Sequence, residues 1–396
     1  MMGTATATIE KAETPAPAAE FKSLAVRDFS LAIALAVIWA YFAAVTHMNF
    51  VSARNLSNLA VELSLTSVLA LGELLIILCG QIDLSIGSGV GLMGGMAAVL
   101  ITLHQWNAGA AMALTTAVAL AVWLLMGTLI VTQRMPSFII TLAGLSAFKG
   151  LHWQVIRSAT VPVAVGGQDN AMSLLTTWFL PKTGGTILAG VVIVCIGWSI
   201  MRTRQRRAEF GFALEPASVA FGKFMVLSQL VIIFTLVCNQ YRGMPLAALI
   251  LVATALIIGF LAKETRFGRY LYAIGGNEEA AKLSGVPVKA VVITAFGIMG
   301  LLVALGGFLQ TAYQGSSTTT VGELLELDAI TACVIGGASL KGGRGTVMGV
   351  IFGSLIMASL LNGMTLMALA PEIKYEVRGI VLAMAVLLDV KLNRET

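Results

Sequence analysis

The sequence is poor in charge, in cysteine and in histidine. Only 11% of its 396 residues are charged, against 58% hydrophobic. A soluble domain carries about 25% charged and about 45–50% apolar residues. The deficit excludes an ordinary cytosolic enzyme, a disordered chain and a nucleic-acid binder. Cys79, Cys195, Cys238 and Cys333 lie in or beside apolar runs without zinc or redox spacing, so they read as small hydrophobes. His47, His104 and His152 stand far apart at the edges of apolar runs, so they read as interfacial side chains, and no metal site is expected. The chain also lacks G-x-x-x-x-G-K-S/T, H-E-x-x-H and G-x-S-x-G. The first absence leaves nowhere to hold nucleotide, and the other two argue against a membrane-embedded hydrolase.

Long apolar runs and small residues are abundant. The 41 glycines and 18 methionines suit close, pliable packing between membrane helices. Residues 1–26, rich in Ala, Thr, Pro and Glu, read as a disordered cytoplasmic tail rather than a signal peptide. The run from Phe29 to Met48 is long enough to cross a hydrocarbon core of about 30 Å as a helix. Further runs fall near 60–80, 82–103, 108–132, 137–154, 186–201, 219–238, 244–262, 290–312, 327–340, 345–366 and 376–390. The fold class is therefore all-α: a polytopic integral membrane helical bundle of about 10–12 segments over residues 27–396. The runs at 82–103, 137–154 and 327–340 are candidates for broken or re-entrant helices.

With an inner amino terminus and twelve crossings, eighteen of the 25 Lys and Arg residues fall inside and seven outside. This inside excess puts both termini in the cytoplasm. Two connections are large: an outer loop at 157–185 and an inner loop at 263–289. In the inner loop, Asn277 is a good N-cap, with Glu278 and Glu279 in the first turn. Ala280 and Ala281 favour helix, Lys282 sits in the last turn, Gly285 can take a left-handed cap and Pro287 stops continuation. A helix over 278–284 is expected. It is far shorter than the ~12–15 residues that are marginal alone. Either it packs on its own bundle or it docks a cytoplasmic partner, and Gly275-Gly276 would permit the sharp turn into it.

The stretch Asn277-Glu-Glu-Ala-Ala-Lys-Leu-Ser-Gly285 resembles the coupling loop of permease subunits of bacterial ABC sugar importers, the ribose, xylose, arabinose and galactoside group. The resemblance extends through Ser52–Asn58, Ile82–Ser88, Pro136–Gly144, Tyr272–Asn277 and Glu326–Ile330. The basic insertion Arg202–Arg207, followed by Glu215-Pro-Ala-Ser218, is similar to the xylose-type members. The family implies an inner-membrane homodimer that moves a monosaccharide, with two ATP-binding subunits below and a periplasmic sugar-binding protein above. ATP and Mg would sit on the partner subunits, with no cofactor on this chain. Gly275, Gly276, Asn277, Glu278, Glu279, Ala280, Ala281, Leu283, Ser284 and Gly285 would form the ATPase-coupling loop.

Acidic residues inside apolar runs are costly and face protein or water. Asp389 reads as interfacial, and Glu73 as a neutral carboxyl bonded to a neighbouring helix. Asp83 and Ser85 either cap the helix that starts there or, with Gly87, line the sugar path or gate. Gln81-Ile-Asp83 is echoed by Glu326-Leu-Asp328, at the inner and outer faces respectively, as an inverted repeat would give. Asp328, Asn362, Gln310, Gln314 and the Ser/Thr run 316–320 are further pathway candidates. Gly345, Gly349 and Gly353 are expected to form one smooth helix-packing face, and Gly87, Gly89, Gly91, Gly94 and Gly95 a second. The rival reading is an ion-coupled sugar transporter with Glu73 and Asp83 carrying the ion.

Overall fold

The structure, a computed structural model, describes residues 17–164 and 166–392, with side chains described from residue 31 onward except at 388, 389, 391 and 392. Helices dominate: α1 (Pro17–Val45), α2 (Ala53–Leu78), α3 (Ile86–Thr102), α4 (Ala108–Gln133), α5 (Ser137–Val155), the short α6 (Leu174–Thr177), α7 (Lys182–Glu209), α8 (Ala217–Gln240) and α9 (Leu246–Glu264). They continue with α10 (Arg266–Gly276), α11 (Glu278–Leu283), α12 (Val288–Gln314), α13 (Leu325–Ile335), α14 (Val347–Leu366) and α15 (Pro371–Leu392). Each of the twelve apolar runs contains one helix. Among the described residues seven helices are long and apolar enough to span a membrane by themselves, while α3 and α13 have only 17 and 11 residues. Helix α1 begins at Pro17, so part of the stretch read as a disordered tail is helical. The rest of that reading, residues 1–16, and the Asp389 side chain lie outside what is described.

Every residue of α2 from Ser64 to Leu78 is buried. A helix buried all round belongs at the centre of a bundle. Here α9, α12, α13 and α14 surround it. Where helices touch most closely, glycine makes the contact. A Cβ at Gly94 would fall 2.6 Å from Gly307 O on α12 and collide with Thr311. Gly349 and Gly353 on α14 lie against Gly336 and Ala332, at the end of α13. Gly345 does not share that face, contrary to expectation. It precedes α14, and Thr346 starts the helix by accepting a hydrogen bond from Gly349 N at 3.0 Å.

Two short antiparallel pairs join the loops at one end of the bundle. β1 (Val161–Pro162) pairs with β4 (Ser316–Ser317), and β2 (Phe179–Leu180) with β3 (Met244–Pro245). The outer loop 157–185 is thereby tied to the segment after α12. At the opposite end, Gly343 N donates to Leu78 O at 3.0 Å and Tyr272 Oη to Gly345 O at 2.8 Å. Helices α7 and α8 form a peripheral hairpin, and Ile187, Val191, Val194, Trp198 and Met201 make an exposed apolar stripe along α7. At its tip Lys223 Nζ lies 2.7 Å from Glu215 Oε2, which holds that carboxyl below its ordinary pKa.

The close contacts generate a test. Gly94→Val overpacks a backbone contact, a change that costs about 1–3 kcal/mol or more. We expect a sharply reduced yield of monodisperse protein in detergent. Gly190→Ala, where nothing lies within 4 Å, should match the parent. Equal yields for the two variants would contradict the α3–α12 packing described.

Candidate functional site

The end where Gly343 meets Leu78 carries a short protruding helix. Asn277, with extended backbone, caps α11 by accepting from Ala280 N at 2.9 Å. Glu278 and Glu279 occupy the first turn, and the helix stops at Leu283, one residue short of the expected end. Ser284 is its C-cap, donating its hydroxyl to Ala280 O at 2.8 Å. Gly285 follows at φ 81°, and Val286 N donates to Ala281 O at 3.0 Å, closing the last turn. Only Ala281 is buried. Glu278, Glu279, Ala280, Lys282, Leu283, Ser284 and Gly285 are all exposed, and Leu283 is 90% exposed. Gly275, just before α11, has the opposite role. A Cβ there would collide with Leu78 O and the backbone of Gly343, so α10 locks onto the end of α2 while α11 projects. Gly276 faces open space.

A second constellation lies inside the bundle. Asp83 is fully buried. Its Oδ1 accepts from Ser85 N at 2.8 Å and Ser85 Oγ at 2.6 Å, and its Oδ2 accepts from Trp123 Nε1 at 2.7 Å. Ser85 is the N-cap of α3 but makes no side-chain cap bond. The capping reading is corrected accordingly: Asp83 folds the turn before α3 and ties it to α4. Glu73 is also fully buried, and its Oε1 accepts from Asp83 N at 3.2 Å. Its partner is thus the turn, not a neighbouring helix.

Gly87 lets the first turn of α3 meet the first turn of α13, because a Cβ there would collide with Glu326 Oε2 and Gly322 O. The two acidic tripeptides do not sit at opposite faces. Both half-helices start at a shared level inside the bundle. From it α3 runs to the end where Ala98 and Val99 pack on Val161, and α13 runs to the end where Gly343 meets Leu78. Their directions are inverted, as in transporters with discontinuous helices. Asp328, one turn along α13, is buried beside Arg378 of α15, with Nη2 at 3.1 Å from Oδ2.

Asn362 is remote from this level. Its Oδ1 accepts from Asn55 Nδ2 at 2.8 Å, and its Nδ2 donates to Glu62 Oε2 at 3.1 Å. Glu62 Oε1 accepts from Tyr313 Oη at 2.6 Å. This network joins α2, α12 and α14, and its Tyr313 is close to Gln310 and Gln314 in sequence. His152 is not interfacial: it is 2% exposed, with Nε2 3.0 Å from Ser317 Oγ. Among the described residues no group of His, Cys, Asp and Glu could hold a metal. The sequence reading missed Trp123, Arg378 and Lys149. An isolated basic residue in an apolar run was the available signal for the last two, because such a charge needs an acidic partner.

A protein-family model described as "Branched-chain amino acid transport system / permease component" matches residues 55–386. The chain is 38% identical to the xylose transport system permease protein XylH of Haemophilus influenzae, over 93% of this chain and 98% of that protein. It is also 38% identical to XylH of Escherichia coli K12, over 95% and 94%. The ribose import permease protein RbsC of Escherichia coli K12 is 30% identical, over 87% and 88%. No solved structure matches.

The Asp83–Trp123 bond has a measurable consequence. Trp123→Phe leaves a buried carboxylate oxygen without its donor, at a cost of about 1–3 kcal/mol. A lower Tm in detergent is expected. In an Asp83→Asn background the same change should cost less, because the two residues couple. Equal losses in both backgrounds would show that the bond contributes nothing.

Proposed function

We infer the function from one premise: this chain belongs to the branched-chain amino acid transport system permease-component family. It is the multi-pass, inner-membrane permease subunit of an ATP-driven monosaccharide importer. D-xylose is the cargo that its 38% identity to the xylose permeases favours. The observation that carries the mechanism is the exposure of α11. A six-residue helix held by one buried alanine presents two carboxylates and a nearly bare leucine. Such a patch gains stability only when a partner covers it.

The partner is an ATP-binding subunit, two of which serve a homodimer of this chain. ATP and Mg are bound and hydrolysed there. Closure of the two subunits moves α11, and the backbone contact at Gly275 passes the motion to α2 and the 336–346 loop. This is a two-state switch biased by ligand binding. Both termini are cytoplasmic, following the basic-residue bias. At the periplasmic end, the joined loops 157–185 and 313–326 receive a sugar-binding protein. The ion-coupled rival fares worse, since the Asp83 carboxylate is already occupied by Ser85 and Trp123.

Reversing Glu278 and Glu279 together to Lys tests the docking role. Like charges at a docked patch cost several kcal/mol, so uptake in reconstituted vesicles should fall by roughly tenfold or more. Membrane insertion and thermal stability of the isolated chain should be unchanged. Undiminished uptake would remove α11 from the coupling path, and uptake by this chain alone under an ion gradient would favour the rival.

A further inference from the structure

We propose that a groove between the start of α3, α5 and the 318–326 segment is a transient binding site for a neutral monosaccharide on its way through the permease. The proposal deepens the importer reading and rests on it. The groove holds a cavity of ≈ 200 Å³ whose lining includes Ser88, Lys149, Glu323 and Glu326. That is the volume of roughly seven liquid waters, room for one small sugar. Lys149 lies six residues before the end of α5, about 9 Å of helix from the outer end. Glu326 lies beside Gly87, fifteen residues or about 22 Å of helix below the end of α3. The groove therefore descends from the outer end to the level where the two half-helices meet.

Its side chains are incompatible with lipid. Lys149 Nζ sits 3.5 Å from Glu323 Oε1, with the two side chains 44% and 36% exposed. Charges at this depth stay exposed only where they meet water. The lining also matches the chemistry of a polyol. Glu323 and Glu326 are hydroxyl acceptors, and Glu326 takes no hydrogen bond from another side chain among the described residues. Trp153, one turn outward from Lys149, is 43% exposed with its Nε1 held by Thr319 O at 3.2 Å. Its ring is a fixed stacking surface at the rim. Among the charged lining residues one cation, Lys149, stands against Glu323 and Glu326. This balance gives an anion no advantage and leaves hydrogen-bonding capacity for an uncharged ligand.

The test uses the permease reconstituted in vesicles with its ATPase subunits and sugar-binding protein. With Ser88→Cys, and with Thr319→Cys as a second position, a membrane-impermeant maleimide added from the binding-protein side should label the thiol. D-xylose delivered under transport conditions should slow that labelling several-fold. Trp153→Ala should lower xylose uptake by roughly tenfold or more. Exchanging the pair, Lys149→Glu with Glu323→Lys, keeps the ion pair but moves the acceptor to the other wall, so uptake should stay defective. Full recovery in the exchange variant would reduce the pair to a structural tie and overturn the proposal. So would labelling at both positions that ignores the sugar, or no labelling at either, while uptake by the parent is intact. A parent that moves no sugar with all partners, ATP and loaded binding protein would instead overturn the importer reading beneath it.

Discussion

Hydrocarbon offers no hydrogen bonds, so every peptide group inside a bilayer must find its partner within the protein. That constraint organises this chain. It makes nearly all of the structure helical, and it decides where the backbone may leave the helix. The turn between α2 and α3 is such a place. Asp83, Ser85 and Glu73 supply acceptors and donors to one another and to the turn's backbone. The segment ahead of α13 is another, shielded by α3 and α5. The glycine-rich stretch after α13 is a third, sealed against the end of α2 by Gly343 and Leu78. Helix α2, buried along most of its length, is the wall on which the irregular pieces rest.

This arrangement sets a packed core between two ends of different build. At the inner end, α10 is locked to α2 through Gly275, while α11 stands free with Leu283 bare. At the outer end, two short strand pairs gather four loops into one surface. Between them, α3 and α13 start at one level and run apart. A small relative movement of the two would open or close the space around Glu326 and Gly87 without breaking a long helix. The glycine contacts of α3 with α12 and of α13 with α14 permit close approach on either side.

Hydropathy alone located the twelve helices that lie in apolar runs, because a membrane-crossing helix needs a continuous apolar run and little else. The cap and stop residues around α11 were equally readable, since they act within a few positions of one another. Contacts across long sequence separations were not. Trp123 looks like any apolar-run tryptophan until its indole is seen on Asp83, and His152 looks interfacial until Ser317 is seen beside it. Lys149 and Arg378 stand inside apolar runs, but their acidic partners lie in a different part of the chain. The four-residue spacing placed Gly345 on α14, but Thr346 captures the start of that helix and leaves Gly345 in the preceding loop.

The central claim is that the bare face of α11 is covered by a separate ATP-hydrolysing subunit on the cytoplasmic side. It is tested most directly by a photo-reactive residue at position 283 in the assembled, transport-competent complex. The account predicts cross-links to the ATPase subunit whose yield changes when ATP is bound. Cross-links confined to this chain, or quenching of the probe by a reagent confined to the periplasm, would contradict it.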